Sequence, residues 1–136
     1  MRLWHKDLIP YLPRQQLLGQ WRECCLIAKN IAENGTPNHV LVNRVMDFNL
    51  WHFWKYSHMI YVEMCSRGYK CDLKRFTDQF QAVDPWTFDI PDEVFPTWHN
   101  HRYLKQCLAN LQEKYDCGAV PEEEWAKITA VWPMWR

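Results

Sequence analysis

"QQLLGQWRECC", from Gln15 to Cys25, is the stretch on which the reading of this chain turns. At a period of 3.6 residues it is helical, and carried on to residue 31 it shows one apolar stripe. Leu17, Trp21, Cys24, Ala28 and Ile31 follow one another at steps of four, three, four and three. The stripe predicts a core-facing side. The opposite side gathers Gln15, Gln16, Gly19, Arg22 and Glu23 into a polar patch with a glycine at its centre. Charged residues are the norm on the outer face of an amphipathic helix, so by pattern alone Arg22 and Glu23 read as a solvated face. Two neighbours point further. Gly19 costs about 1 kcal/mol in a helix interior, which predicts that something large approaches the backbone there. Leu26, one turn on, predicts contact with something other than water.

Outward from this helix, local signals divide the rest of the chain. Pro13 is expected at the first helical position, and Gly35 as a left-handed cap at the end. Thr36-Pro37 is expected to restart the chain as N-cap and first residue of a helix. It would lead through "NHVLVNRVMDF" and "NLWHFWKYSHMIYVEMCSRG" to a stop at Gly68. Asp72 should cap a shorter helix through "LKRFTDQFQ", and the three prolines of "DPWTFDIPDEVFP" mark an extended connection. Thr97 is expected to cap a helix ending at Gly118. Pro121 with Glu122, Glu123 and Glu124 should open a last one, since carboxylates suit the positive end of a helix dipole. No stretch alternates as a strand with hairpin turns. The expected fold is therefore all-α: a single compact domain over residues 1–136, with about four or five helices and irregular connectors.

Charge narrows the partners. The chain carries 16 Lys+Arg and 16 Asp+Glu, a net charge of zero, which by itself argues against a protein living on phosphate contacts. The halves differ, however: residues 1–80 hold 11 cationic side chains against 7 carboxylates, and residues 81–136 hold 5 against 9. A polyanion is expected to meet the first half. No apolar run approaches the roughly 18 residues of a membrane span, and "MRLWHKDLIP" lacks the apolar stretch and cleavage site of a signal peptide. A cytoplasmic protein with no membrane partner is the expectation. Cys24, Cys25, Cys65, Cys71, Cys107 and Cys117 read as small buried hydrophobes; no C-x-x-C pair favours zinc, and no metal or cofactor is expected. His99 and His101 are two apart and point in different directions, which suits a helix start better than a metal site. His39 and His58 read as core residues. The segment "AVWPMWR" fits a base-stacking platform and a Trp-rich stretch folded on the core equally well. Gly-rich phosphate loops, G-x-S-x-G and H-E-x-x-H are absent.

The run "QQLLGQWRE", with the start "MRL", "NHV" at Asn38 to Val40, "EMCSRGYKCD" and the weaker "LANLQEKY", resembles the phage endonuclease V family of pyrimidine-dimer DNA glycosylases. These are small all-helical enzymes with a Q-x-L-x-x-x-[aromatic]-R-E run in the first helix. The resemblance implies that Glu23 is the catalytic carboxylate, Arg22 a binder of phosphate and sugar oxygens, Gln15 a DNA contact and Arg2 a second cation beside the nucleophile. It also implies that the nucleophile is the α-amino group at the chain start. In the family that amine belongs to a Thr exposed by removal of the initiator Met. Arg2 is too large for such trimming, so here the amine is expected on Met1. An α-amine, with a reference pKa of about 7.7–8, keeps a usable neutral fraction where a lysine near 10.4 does not. It can attack sugar C1′ and form an imine, after which β-elimination releases the 3′ phosphate. Glu23 would stabilise the positive sugar and move protons, with the lesion extruded from the duplex.

Gln16 stands where the family has His, and Leu26 where it has a basic residue. The acidic "PEEEW" and "WPMWR" stand where the family has an aromatic-basic segment, and fewer cations mean a weaker phosphate grip. The expected protein is a monomeric DNA glycosylase with AP-lyase activity on damaged double-stranded DNA, pyrimidine dimers foremost. Its rivals are an enzyme of the same mechanism for another lesion and a non-catalytic helical DNA- or protein-binding module.

Overall fold

The computed structural model describes residues 1–83 and 89–136, so residues 84–88 of the proline-rich connection lie outside the described residues. Five α-helices and three short 3-10 turns make up the regular structure described, with no strand among those residues. The first helix, α1, spans Arg14–Asn34 and buries the whole stripe of Leu17, Trp21, Cys24, Ala28 and Ile31. Pro13 is the N-cap and not the first helical residue, so α1 starts one residue later than expected. Gly35 ends the helix at φ 75°, its N–H returning to the Ile31 carbonyl at 2.8 Å. A left-handed residue there satisfies a carbonyl that the helix leaves open, and glycine adopts it without strain.

The expected restart at Thr36 does not occur. The Thr36 hydroxyl accepts the N–H of Asn38 at 3.2 Å, and Asn38 takes φ 57°, which no right-handed helix continues through. Asn43 likewise spends its carboxamide oxygen on the N–H of His39 at 3.0 Å. Short polar side chains bonding to nearby backbone compete with the helical ladder, and in this segment they prevail. A 3-10 turn at Asn43–Asp47 follows, and α2 (Leu50–Ser66) begins only where Asn49 accepts the Trp51 N–H. Gly68 stops it at φ 76°, as expected.

Asp72 caps α3 (Leu73–Val83) through the N–H of Arg75 at 3.2 Å. Both α2 and α3 pack on α1. Rings join the three, Phe76 of α3 lying 5.8 Å from Trp21 and 5.7 Å from Phe53. The fourth helix, α4 (His101–Asp116), is capped by Asn100 through the Tyr103 N–H, not by Thr97. The helix starts late because His99 is drawn into the core, where its Nδ1 accepts the N–H of Lys6 at 3.0 Å. Pro121 and the three glutamates open α5 (Glu122–Val131) as the dipole argument requires. The closing turn Pro133–Trp135 folds back on α4, its Trp135 carbonyl accepting from Gln112 Nε2 at 3.0 Å. Of the cysteines, Cys24, Cys25 and Cys107 are buried as expected, whereas Cys65 and Cys117 are exposed. Among the described residues no helix is long and apolar enough to cross a membrane.

What positions the site is the stretch before α1. Leu3, Leu8, Ile9 and Leu12 are buried in the same core as the α1 stripe, with Trp4 beside them. Residues 1–5 thus form an extended strap anchored by Leu3, and the chain start lies against α1.

Candidate active site

The strap is held almost atom by atom. Gln20, fully buried on α1, accepts the Trp4 N–H at 2.8 Å and donates to the Arg2 carbonyl at 3.0 Å. Its Nε2 also reaches Glu23 Oε2 at 3.4 Å. The buried Tyr56 hydroxyl donates to the Trp4 carbonyl at 2.5 Å and lies 3.1 Å from Gln20 Oε1. From α4, the Tyr103 hydroxyl donates to the Leu3 carbonyl at 2.6 Å. A buried polar group without a partner costs about 1–3 kcal/mol, so this network leaves the strap one path.

That path delivers the chain start to Glu23. Met1, Arg2, Trp4 and Glu23 line one cavity of about 300 Å³, closed by Leu41 and by Asn110 and Lys114 of α4. Burial pushes the Glu23 carboxyl above its ordinary value. The charge of the Met1 amine, the Arg2 backbone N–H it accepts, His39 and Arg22 pull it back without cancelling the rise. A carboxyl shifted upward by burial and sharing a cavity with an amine is the kind of perturbed group that marks a candidate acid–base site.

The residues singled out from the sequence therefore separate. Met1, Arg2 and Glu23 come together. The Arg2 guanidinium lies 5.3 Å over the Trp4 ring and 3.9 Å from Cys107 Sγ, so it is oriented and partly buried. Arg22 is exposed and does not line the cavity, though its charge acts on Glu23. Its Nη2 is the nearest atom to where a Gly19 Cβ would stand, at 3.9 Å, an ordinary contact. Among the described residues nothing large approaches Gly19, so the close neighbour expected there is not seen. Leu26 is 42% exposed, so the contact expected for it is not made among the described residues. Gln15 is exposed eight residues upstream of Glu23 on α1, outside the cavity.

Four positions escaped the sequence reading. Gln20 precedes Glu23 by one helical turn, a spacing that places the two side chains together, and this signal was there to find. Tyr56 and Tyr103 sit on apolar faces with nothing local to mark them as strap ligands. His39 is half-exposed on the loop after α1, near enough to bias Glu23, and is not the core residue expected. The other lone histidine, His58, is half-buried and stacks on Trp54 at 4.9 Å.

Comparison with known proteins defines the class. Residues 1–77 match the family model described as pyrimidine dimer DNA glycosylase, a span that contains the strap, α1, Tyr56 and Glu23. The chain belongs to this family, so its activity is that of a DNA glycosylase and its substrate is DNA. No curated protein and no solved structure matches the chain. Asn110 and Lys114, which close the cavity, lie outside the matched span.

Proposed function

We propose that the protein excises pyrimidine dimers and then cleaves the strand, through an imine formed by the Met1 α-amine with Glu23 as catalytic carboxylate. The observation that carries this reading is the shared cavity of Met1 and Glu23, with the amine's charge acting directly on the carboxyl. The neutral amine attacks C1′ of the lesion sugar, the glycosidic C1′–N bond breaks, and the base leaves with a proton. The sugar ring opens as the imine forms. Loss of a C2′ proton then expels the 3′ phosphate, and water hydrolyses the imine to restore the amine. Glu23 stabilises the cationic sugar as its anion and relays these protons. Arg22, Arg2 and Gln15 take backbone oxygens of the DNA. In this reading the enzyme acts as a monomer, each site being built from one chain.

Borohydride added during reaction with a dimer-containing duplex tests this reading. Reduction of the imine should leave DNA covalently attached to residue 1, and acetylation of the α-amine should abolish both trapping and strand cleavage. An adduct on Lys114, whose side chain shares the cavity, or an acetylated protein that cuts at full rate, would remove Met1 from the mechanism.

A further inference from the structure

Arg102, Gln106, Asn110 and Lys114 follow one another at four-residue steps along α4. On a helix that spacing makes one row, with neighbours about 6 Å apart along the axis. Asn110 and Lys114 close the cavity of Met1 and Glu23. Arg102 and Gln106 line a second cavity, of about 380 Å³, together with Arg44 from the turn before α2, Trp98, Asn100 and Tyr103. Tyr103 connects the two: its ring faces the second cavity and its hydroxyl holds the strap at Leu3.

The chemistry of this second cavity is one-sided. No carboxylate lines it, and among the described residues neither Arg44 nor Arg102 has an ion-pair partner. The Arg44 guanidinium lies 5.6 Å over the ring of Trp98, which is only 2% exposed. An indole face aims a side chain that would otherwise sample many rotamers, and it aims this one at the cavity. That ring is buried and already covered by Arg44, so it offers no platform for a base. Asn100 is spent on the helix start, its Oδ1 with the Tyr103 N–H and its Nδ2 with the Thr97 carbonyl. What remains free to bind is two guanidinium groups and the Gln106 amide, beside the positive end of α4. This set suits an anion with several acceptor oxygens.

We infer that this cavity is a second DNA-backbone site, in which Arg44 and Arg102 hold one phosphodiester of the substrate. The inference rests on the glycosylase reading for the identity of the polyanion. The two pairs on α4 are centred eight residues apart, about 12 Å along the axis, a distance that only a few consecutive phosphates of one strand span. A strand tracking the row therefore places the held phosphate a few nucleotides at most from the reacting sugar. The cations involved include one from the half of the chain with a net excess of carboxylates, contrary to the expectation that a polyanion meets only the first half. Charge totals over eighty residues do not report which side chains share a face.

The test is DNA binding as a function of salt by wild type, R102Q, R44Q and the double variant, on undamaged and dimer-containing duplexes. Each single variant should bind several-fold more weakly, and the double variant should show a salt slope flatter by about one, the signature of one lost phosphate contact. Arg102 is exposed, so R102Q reads the site even if losing the Arg44–Trp98 contact disturbs the neighbouring turn. In wild type, a methylphosphonate at one of the few phosphates flanking the lesion should reproduce the loss, and the double variant should be indifferent to it. An unchanged slope on both duplexes, or full methylphosphonate sensitivity in the double variant, would overturn the site while leaving wild-type cleavage intact. The converse pattern, a flattened slope with a wild type that never cleaves dimer DNA, supports the phosphate site and sinks the glycosylase reading instead.

Discussion

Glu23→Gln keeps the shape of the side chain and leaves a carbonyl oxygen to accept from Arg2 N–H and Gln20 Nε2, but removes the charge and the proton relay. Turnover on dimer-containing duplex should fall by about 10² or more, the scale of a lost acid–base group, while lesion binding in a gel shift persists. The same substitution bears on stability. Because burial raises the carboxyl above its ordinary value of 4.5, the folded protein retains a proton that the unfolded chain has already released. Stability from this group is therefore complete below the ordinary value and falls as pH rises through the raised one. Glu23→Gln should melt above wild type at pH 7, and the gap should close as pH falls below the ordinary value of 4.5. A variant melting lower at pH 7 would mean that the ionised carboxylate is net stabilising where it sits. At this scale Glu23 stood out as a candidate only through the family resemblance of the "WRE" run, since its pattern alone reads as a solvated face. His39 did not stand out, because only the loop after α1 brings it near.

The elements divide along the same line. Gly35, Gly68 and Asp72 act within one turn of their own position and end or start helices as the sequence indicates. Thr36 and Thr97 carry the same kind of signal, but neither starts a helix. A nearby asparagine bonds the backbone in one case, and His99 is pulled into the core in the other. The strap is the element on which function depends, and Gln20 is its latch. Gln20→Leu, of similar size, would leave the Trp4 N–H and the Arg2 carbonyl without their partner. It should cost about 1–3 kcal/mol for each group left unpaired, read by urea unfolding. Borohydride trapping should fall more steeply than stability predicts, because a freed strap no longer presents Met1 to Glu23. Full trapping in a destabilised variant would show that burial of Leu3 alone holds the strap.

At the scale of the whole molecule, the aromatic cluster that docks the strap against α4 also sets acid stability. His99 stacks on His5 at 5.2 Å among Phe95, Trp98 and Tyr103, and burial drives its pKa down to about 2, with His5 lowered as well. The folded protein refuses a proton that the unfolded chain accepts near 6.5, so this contribution is complete above that value and drains as pH falls toward 2. Unfolding free energy measured in urea should decline below pH 6.5 with a share of about 1.4 kcal/mol per pH unit from His99. His99→Asn, whose oxygen can still accept the Lys6 N–H, should flatten that decline; an unaltered slope would assign it to His5 and the carboxylates. The helices, their glycine stops and the Arg-Glu pair were determined by the sequence itself, since each depends on residues within about four positions of one another. The cavity and the strap, and the placing of the α4 row beside them, were decided only by tertiary structure. Their bonds join Trp4 to Gln20, Lys6 to His99 and Leu3 to Tyr103, residues 16, 93 and 100 positions apart. Over such separations a local pattern carries no information, because what brings the partners together is burial of Leu3, Tyr56 and their neighbours in one shared core.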